Sequence, residues 1–288
     1  MQTLIETLQE YRAQGKAVGH FNVGNIEMFR AVVAAAKATG LPVVIGASEG
    51  ERDAFGVREL AVMVRAAREE SGLSVYLNAD HTYSVERVKE AIDAGFDSVI
   101  FDGAQLSLEE NITKARECAA YAKEKGGATL IEGELGFIGV GSQVLDALPE
   151  GAAVTSEMMT TAADAKRFVE ETGVDLLAPA VGTIHGTLKS GMDPRLNPER
   201  VKEIAGAVAV PLVLHGGTGT SDEDYAAVIK NGIALVHVST ELRQAYRKAL
   251  QLSLQENPDE LAPYKYTKQA LVAVQEVVEK RMKLFAGF

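Results

Sequence analysis

Short apolar runs rich in β-branched residues alternate along the chain with longer stretches whose apolar positions recur every three or four residues. The runs predict strands at Ala17–Val23, Pro42–Gly46, Ser74–Ala79, Ser98–Phe101, Ala128–Glu132, Leu176–Pro179, Pro211–Leu214 and Ile233–Val238. Their near-continuous apolar character is that of parallel strands covered on both faces. The intervening periodicity predicts amphipathic helices at Ile26–Thr39, Val57–Ser71, Ser84–Ala94, Ser107–Lys125, Ala162–Thr172, Pro198–Val208 and Asp222–Asn231. Gly40, Gly72, Gly95, Gly126, Gly173 and Gly232 follow these helices where a C-terminal cap belongs. Ser84, Ser107 and Ser221 stand at N-cap positions.

Eight β/α units with no Pro/Gly/Ser linker between them match a single (β/α)8 TIM barrel over 1–288. A doubly wound open sheet is the alternative. Two further helices, Thr240–Leu254 and Thr267–Phe285, follow the last strand. The chain from about residue 255 forms a C-terminal helical extension, and its last helix is expected to pack on a neighbouring subunit. The connection Gly133–Thr161 is long, glycine-rich and without periodicity. It follows a strand, so in a barrel it is expected to be a lid on the catalytic face.

The chain has 288 residues and is 47% hydrophobic, enough for a large core. A formal charge of −11 argues against nucleic acid or an anionic membrane as partner. The lone Cys118 falls in a helical pattern and reads as core, leaving no intramolecular disulfide. The N-terminal residues lack the basic and apolar regions of a secretory signal, and no apolar run is long enough to span a bilayer. The expectation is a cytoplasmic protein.

The candidate chemistry lies at the ends of the strands. Pro211–Leu214 delivers His215 and then Gly216-Gly217-Thr218-Gly219, a turn whose backbone N–H groups can approach an anion. His81 follows the third strand, His185 lies past the sixth, and His237 lies in the eighth. Asp80, Asp102 and Glu134 fall at the ends of the third, fourth and fifth. A barrel gathers all of these on its C-terminal face, where three imidazoles can hold a divalent ion and leave a position for substrate. Structural alternatives exist for each: Asp80 as a helix cap, Asp102 as a turn residue, Glu134 as a solvated acid. Glycine-bearing turns around Gly186 and Gly216, with a helix starting at Ser239 and Thr240, suggest a phosphate cradle after the last strands.

With those residues placed, the chain resembles the class II, zinc-dependent ketose-bisphosphate aldolase family of fructose- and tagatose-bisphosphate aldolases. The resemblance runs through Phe21-Asn22-Val23, Asp80-His81, Phe101-Asp102-Gly103 and Glu132-Gly133-Glu134-Leu135-Gly136. It continues through Val181-Gly182-Thr183-Ile184-His185-Gly186, Leu214-His215-Gly216-Gly217-Thr218-Gly219 and Ser239-Thr240-Glu241-Leu242. It implies a catalytic Zn2+ on His81, His185 and His215, with Asp102 and Glu134 serving a second metal, a monovalent cation or an alternative zinc position. It implies Asp80 as the proton donor. Gly186, Gly216, Gly217, Thr218 and His237, Val238, Ser239 and Thr240 would bind dihydroxyacetone phosphate. The implied reaction is reversible cleavage of a ketose phosphate, such as fructose 1,6-bisphosphate, to dihydroxyacetone phosphate and an aldehyde through a zinc-stabilised enediolate. A homodimer or homotetramer is likewise implied.

Two positions depart from the family pattern. The lid reads Gly139-Val140-Gly141-Ser142-Gln143, with no carboxylate where the family has the glutamate proposed to take the donor proton; Asp146 and Glu150 lie further on. His237 replaces an asparagine. These departures leave two other readings: an epimerase or lyase using the same metal chemistry, and a non-catalytic sugar-phosphate-binding relative. Arg281 resembles an arginine that reads the distal phosphate.

Overall fold

The computed structural model describes residues 2–139, 144–190 and 194–288. Its strands are β1 (Val18–Asn22), β2 (Val43–Ala47), β3 (Val75–Thr82), β4 (Ser98–Phe101), β5 (Leu130–Leu135), β6 (Val144–Leu145), β7 (Leu176–Pro179), β8 (Thr187–Leu188), β9 (Leu212–Leu214) and β10 (Ile233–Val238). Eight of them close a parallel barrel in the order β1-β2-β3-β4-β5-β7-β9-β10, with β10 paired back to β1. This is the TIM barrel expected from the alternating pattern. Every barrel strand except β3 is buried along its whole length, and in β3 only His81 is partly open.

The helices are α1 (Leu4–Ala13), α2 (Ile26–Thr39), α3 (Glu49–Phe55), α4 (Val57–Ser71), α5 (Val85–Ala94), α6 (Leu108–Glu124), α7 (Ala162–Thr172), α8 (Pro198–Ala207), α9 (Asp222–Lys230), α10 (Thr240–Glu256), α11 (Pro263–Tyr266) and α12 (Lys268–Phe285). Gly40, Gly72, Gly95 and Gly173 close α2, α4, α5 and α7 in the left-handed conformation that glycine reaches without a Cβ clash. Ser84, Ser107 and Ser221 accept from the N3 backbone N–H at the starts of α5, α6 and α9.

Helices α1, α3 and α11 and strands β6 and β8 have no counterpart among the expected elements. Helix α1 was not anticipated; its Leu4 and Leu8 join Val18, Val44, Tyr76, Leu176 and Leu235 in a separate core cluster. Helix α12 lies on its own chain, packed along α2 and α10, with Val274, Val278, Met282 and Phe285 in the main core. The connection after β5 also carries structure, since β6 pairs in parallel with β8 to tie two catalytic-face loops together. Among the described residues no helix is long and apolar enough to cross a membrane.

Candidate active site

A cleft at the C-terminal ends of the strands is lined by Asp80, His81, Asp102, His185, His215 and His237 together with Gly186, Gly216, Gly217, Thr218, Ser239 and Thr240. Most of the residues singled out from sequence therefore meet. Val238 does not reach the cleft. Strand alternation turns its side chain into the core, between His237 and Ser239.

Asp80 and His81 are sequence neighbours, yet both face the cleft. A regular strand would send them to opposite faces. The register between β3 and β4 shifts between Ala79 and Thr82, and His81 adopts φ 34°, the one positive value at a non-glycine among the described residues. Arg52 pins this irregular turn. Its guanidinium is buried and donates to Ala47 O (2.7 Å), Asp80 O (2.9 Å) and Thr82 Oγ1 (3.0 Å).

Each of the three expected metal ligands has one ring nitrogen committed to an oxygen. His81 Nδ1 lies 2.8 Å from Asp102 Oδ2, His185 Nδ1 lies 2.9 Å from Gly139 O, and His215 Nε2 lies 2.8 Å from Glu132 Oε1. Donation to Asp102 and Gly139 leaves lone pairs on His81 Nε2 and His185 Nε2, and the contact with Glu132 turns His215 Nδ1 toward the same point. The three imidazoles offer nitrogens within 4.8 Å of one another. His215 Nδ1 and His81 Nε2 face each other at 3.3 Å. Two nitrogens on one tetrahedral zinc stand about 3.4 Å apart, so this pair has the spacing that ion needs.

The surrounding charge points the same way. Burial alone would lower the pKa of His81, but Asp80, Asp102 and Glu134 hold it well above the ordinary value. Burial, then the neighbouring Asp80, pushes Glu132 well up, and burial, then Asp102, does the same to Glu134. The cluster is short of positive charge, which a divalent cation would supply. Burial, followed by His81, lowers His185 to about 4, which keeps it the neutral imidazole a metal needs. Asp102 Oδ2 and Glu134 Oε2 bracket His81 Nδ1 at 2.8 and 3.4 Å, so together with His81 they form a second group able to hold an ion.

The phosphate side is built by close packing. Gly216 has φ +66°, and a Cβ there would collide with Ile184 O. Thr183 Oγ1 donates to His215 O at 2.7 Å, so the loops carrying His185 and His215 are locked together. Helix α10 opens at Thr240, which lines this corner with Ser239, and no side chain caps its first turn.

Several cleft residues carried no individual expectation. His20 of β1 lies beside His237 in register, stacks on it at 3.5 Å and meets Asn78 Oδ1 at 3.0 Å. Asn22 Nδ2 bridges Glu51 Oε2 (2.9 Å) and Asp80 Oδ2 (2.8 Å). Glu132 is wholly buried beneath His215. The signal for these was period two: Asn22 is two positions from His20, and Glu132 two from Glu134, so each pair shares a face. Glu134 is buried, which removes its reading as a solvated acid.

Other expectations fail on position. Arg281 is buried and bound to Glu241 (2.9 Å) and Asp222 (2.8 Å), with its guanidinium over Tyr225, and it is absent from the cleft wall. Asp146 is solvent-exposed and pairs with Lys189 at 2.6 Å, and neither it nor Glu150 lines the cleft. The lid positions Val140–Gln143 lie outside the described residues. Cys118 is buried in the core, as expected.

A closed parallel barrel with histidines and acids converging at its C-terminal face is the arrangement of a barrel enzyme, with side-chain groups able to hold a metal ion. Comparison with known proteins narrows this. The family model for "Fructose-bisphosphate aldolase class-II" matches residues 2–287. The chain is 35% identical over 283 residues to the fructose-bisphosphate aldolase of Staphylococcus aureus, covering 97% of this chain and 95% of that one. It is 36% identical over 288 residues to the probable fructose-bisphosphate aldolase of Bacillus subtilis, covering 99% and 97%. Its fold superposes on the crystal structure of the YdjI aldolase from Escherichia coli K12 with a TM-score of 0.82 at 31% identity, over 98% of this chain and 96% of that one. The chain belongs to the class II fructose-bisphosphate aldolase family and is an aldolase.

Proposed function

We propose that this aldolase reversibly cleaves a ketose phosphate, of which fructose 1,6-bisphosphate is the first to test, into dihydroxyacetone phosphate and an aldehyde. The observation that carries this is Asp80 set beside the three-histidine group in one cleft with the glycine-lined corner. His81, His185 and His215 would hold a zinc ion. When bound, that ion polarises the ketone and stabilises the negative charge left on the donor half as the carbon–carbon bond breaks.

The rest is done by side chains. Burial works to raise Asp80, but His81 first and His237 next hold its carboxyl well below the usual range, so it rests ionised. It is therefore a base in cleavage, taking the proton from the hydroxyl that becomes the aldehyde, and an acid in condensation. Asn22 Nδ2 at 2.8 Å from Oδ2 and His237 Nδ1 at 3.3 Å from Oδ1 orient it. Asp102 and Glu132 hold the rings of His81 and His215. Gly186, Gly216, Gly217 and Thr218 with Ser239 and Thr240 would seat the donor phosphate against backbone N–H groups.

A cytoplasmic setting and a homodimer or homotetramer complete the reading. Exposed Leu252, Leu254, Leu261 and Tyr264 on the C-terminal helical segment support self-association. The test is deuterium exchange into the carbinol carbon of dihydroxyacetone phosphate in heavy water. Zinc-loaded protein should catalyse exchange and chelator-stripped protein should not. Absence of exchange with zinc bound overturns the reading.

A further inference from the structure

Both carboxylate oxygens of Asp80 depend on β1, although Asp80 itself lies on β3. Asn22 reaches Oδ2 directly, through the 2.8 Å bond from Nδ2. Oδ1 is served at one remove. His237 Nδ1 lies 3.3 Å from it, and the His237 ring rests on His20, two residues before Asn22 on the same face of β1.

Hydrogen bonding does little to orient His237. Its Nε2 stands 4.0 Å from Glu132 Oε2, and neither ring nitrogen has a well-formed hydrogen bond among the described residues. The ring is set by its faces instead. It stacks on His20 at 3.5 Å and 6°, and on His215 at 4.1 Å and 26°. Burial lowers the His20 pKa, so that ring meets its neighbour uncharged. His20 is in turn fixed on two sides. Its Nε2 meets Asn78 Oδ1 at 3.0 Å, Asn78 Nδ2 donates to Ser98 Oγ at 2.8 Å, and a Cβ at Gly46 of β2 would overlap the imidazole. His20 is fully buried and absent from the cleft wall, out of a substrate's reach. Two parallel rings cannot both aim an in-plane lone pair at one ion about 2 Å away, so the stacked pair is not a metal site.

Resting on the aldolase reading, we propose that His20 is a positioning residue for the aldehyde-side proton transfer. Through His237 it fixes Oδ1 of Asp80, as Asn22 fixes Oδ2, and the carboxylate meets the hydroxyl proton in one orientation. The donor half, seated on the histidine group and the glycine-lined corner, does not depend on this contact.

Asp80 acts on the aldehyde oxygen alone, so donor deuterium exchange proceeds without it and cleavage does not. Exchange into dihydroxyacetone phosphate and cleavage of fructose 1,6-bisphosphate are measured side by side on zinc-loaded protein, with zinc content and Tm as controls. His20→Ala is expected to lower kcat for cleavage roughly ten- to hundredfold, leave KM within about twofold and slow exchange less than about threefold. His20→Phe keeps a flat ring against His237 and gives up the bond to Asn78. It should recover most of kcat at a lower Tm. His20→Gln keeps an amide for Asn78 without the ring and should not recover. In an Asp80→Asn background, His20→Ala should cost little more. Equal loss of exchange and cleavage in His20→Ala overturns the proposal, and so does full activity in His20→Gln beside a poor His20→Phe. A zinc-loaded wild-type protein that neither exchanges nor cleaves overturns the aldolase reading itself.

Discussion

Replacing Arg52 with methionine keeps the bulk of a buried side chain and removes the groups that hold the turn at His81. Three hydrogen bonds go, to Ala47 O, Asp80 O and Thr82 Oγ1. Charge-assisted bonds contribute about 1.5–3 kcal/mol each, but the substitution also relieves the cost of burying a cation. The net loss should be about 2–4 kcal/mol, which lowers Tm by roughly 5–10 °C in a domain of this size. The functional effect is separate. His81 sits at φ 34°, a conformation that costs on the order of 1–3 kcal/mol for a residue with a side chain. Without Arg52 the apo protein is free to relax that turn, and the ion must restore it. Zinc affinity should fall by about five- to thirtyfold, which corresponds to about 1–2 kcal/mol. Competition against a chromophoric chelator measures the affinity, and thermal unfolding of stripped and loaded protein measures the rest. An Arg52→Met protein that loses several degrees of Tm yet binds zinc as the wild type does would refute the idea that Arg52 holds the ligand in place.

Asp80→Asn should reduce cleavage by about 10²–10⁴ while leaving zinc bound, read by steady-state kinetics and metal analysis; parallel loss of metal would mean that Asp80 acts structurally. Gly216→Ala forces a Cβ against Ile184 O at φ +66° and should raise KM for phosphorylated substrate about tenfold or more, whereas an unchanged KM would place the phosphate elsewhere. Stripping the metal should lower Tm, and adding zinc back should raise it with concentration, because only the folded chain presents the converged histidines. Burial, with Glu117 beside it, pushes the Cys118 thiol up to about 12. A raised thiol pKa favours the neutral folded form, so this group costs no stability below its unfolded value near 9 and costs progressively more as pH climbs toward 12. At pH 8 a thiol reagent should therefore label Cys118 only as the protein unfolds, and rapid labelling of native protein would contradict its burial.

The barrel was legible because its signals are local and repeated. Ile26–Thr39, Val57–Ser71 and Ala162–Thr172 coincide with α2, α4 and α7, each closed by a capping glycine. The convergence of His81, His185 and His215 was legible because a parallel barrel sends every strand end to one face. What escaped depends on contacts distant in sequence. The burial of Arg52 and the bend at His81 arise from β2, α3 and β3 meeting. The stacking of His20 on His237 exists only because β1 closes the barrel against β10. Arg281 carried a signal that misled. Its helix packs along the chain's own α10, where Glu241 claims the guanidinium.

The loop that leaves β5 is stitched to the element carrying His185. Ile138 O accepts from His185 N at 2.9 Å, Gly139 O lies 2.9 Å from His185 Nδ1, and β6 pairs with β8 just beyond. A displacement of Gly139 therefore tugs on an imidazole that the ion would otherwise hold still. The two positions are coupled at equilibrium, so an ion held by His185 would favour the seated loop, and by the same factor the seated loop would favour the ion.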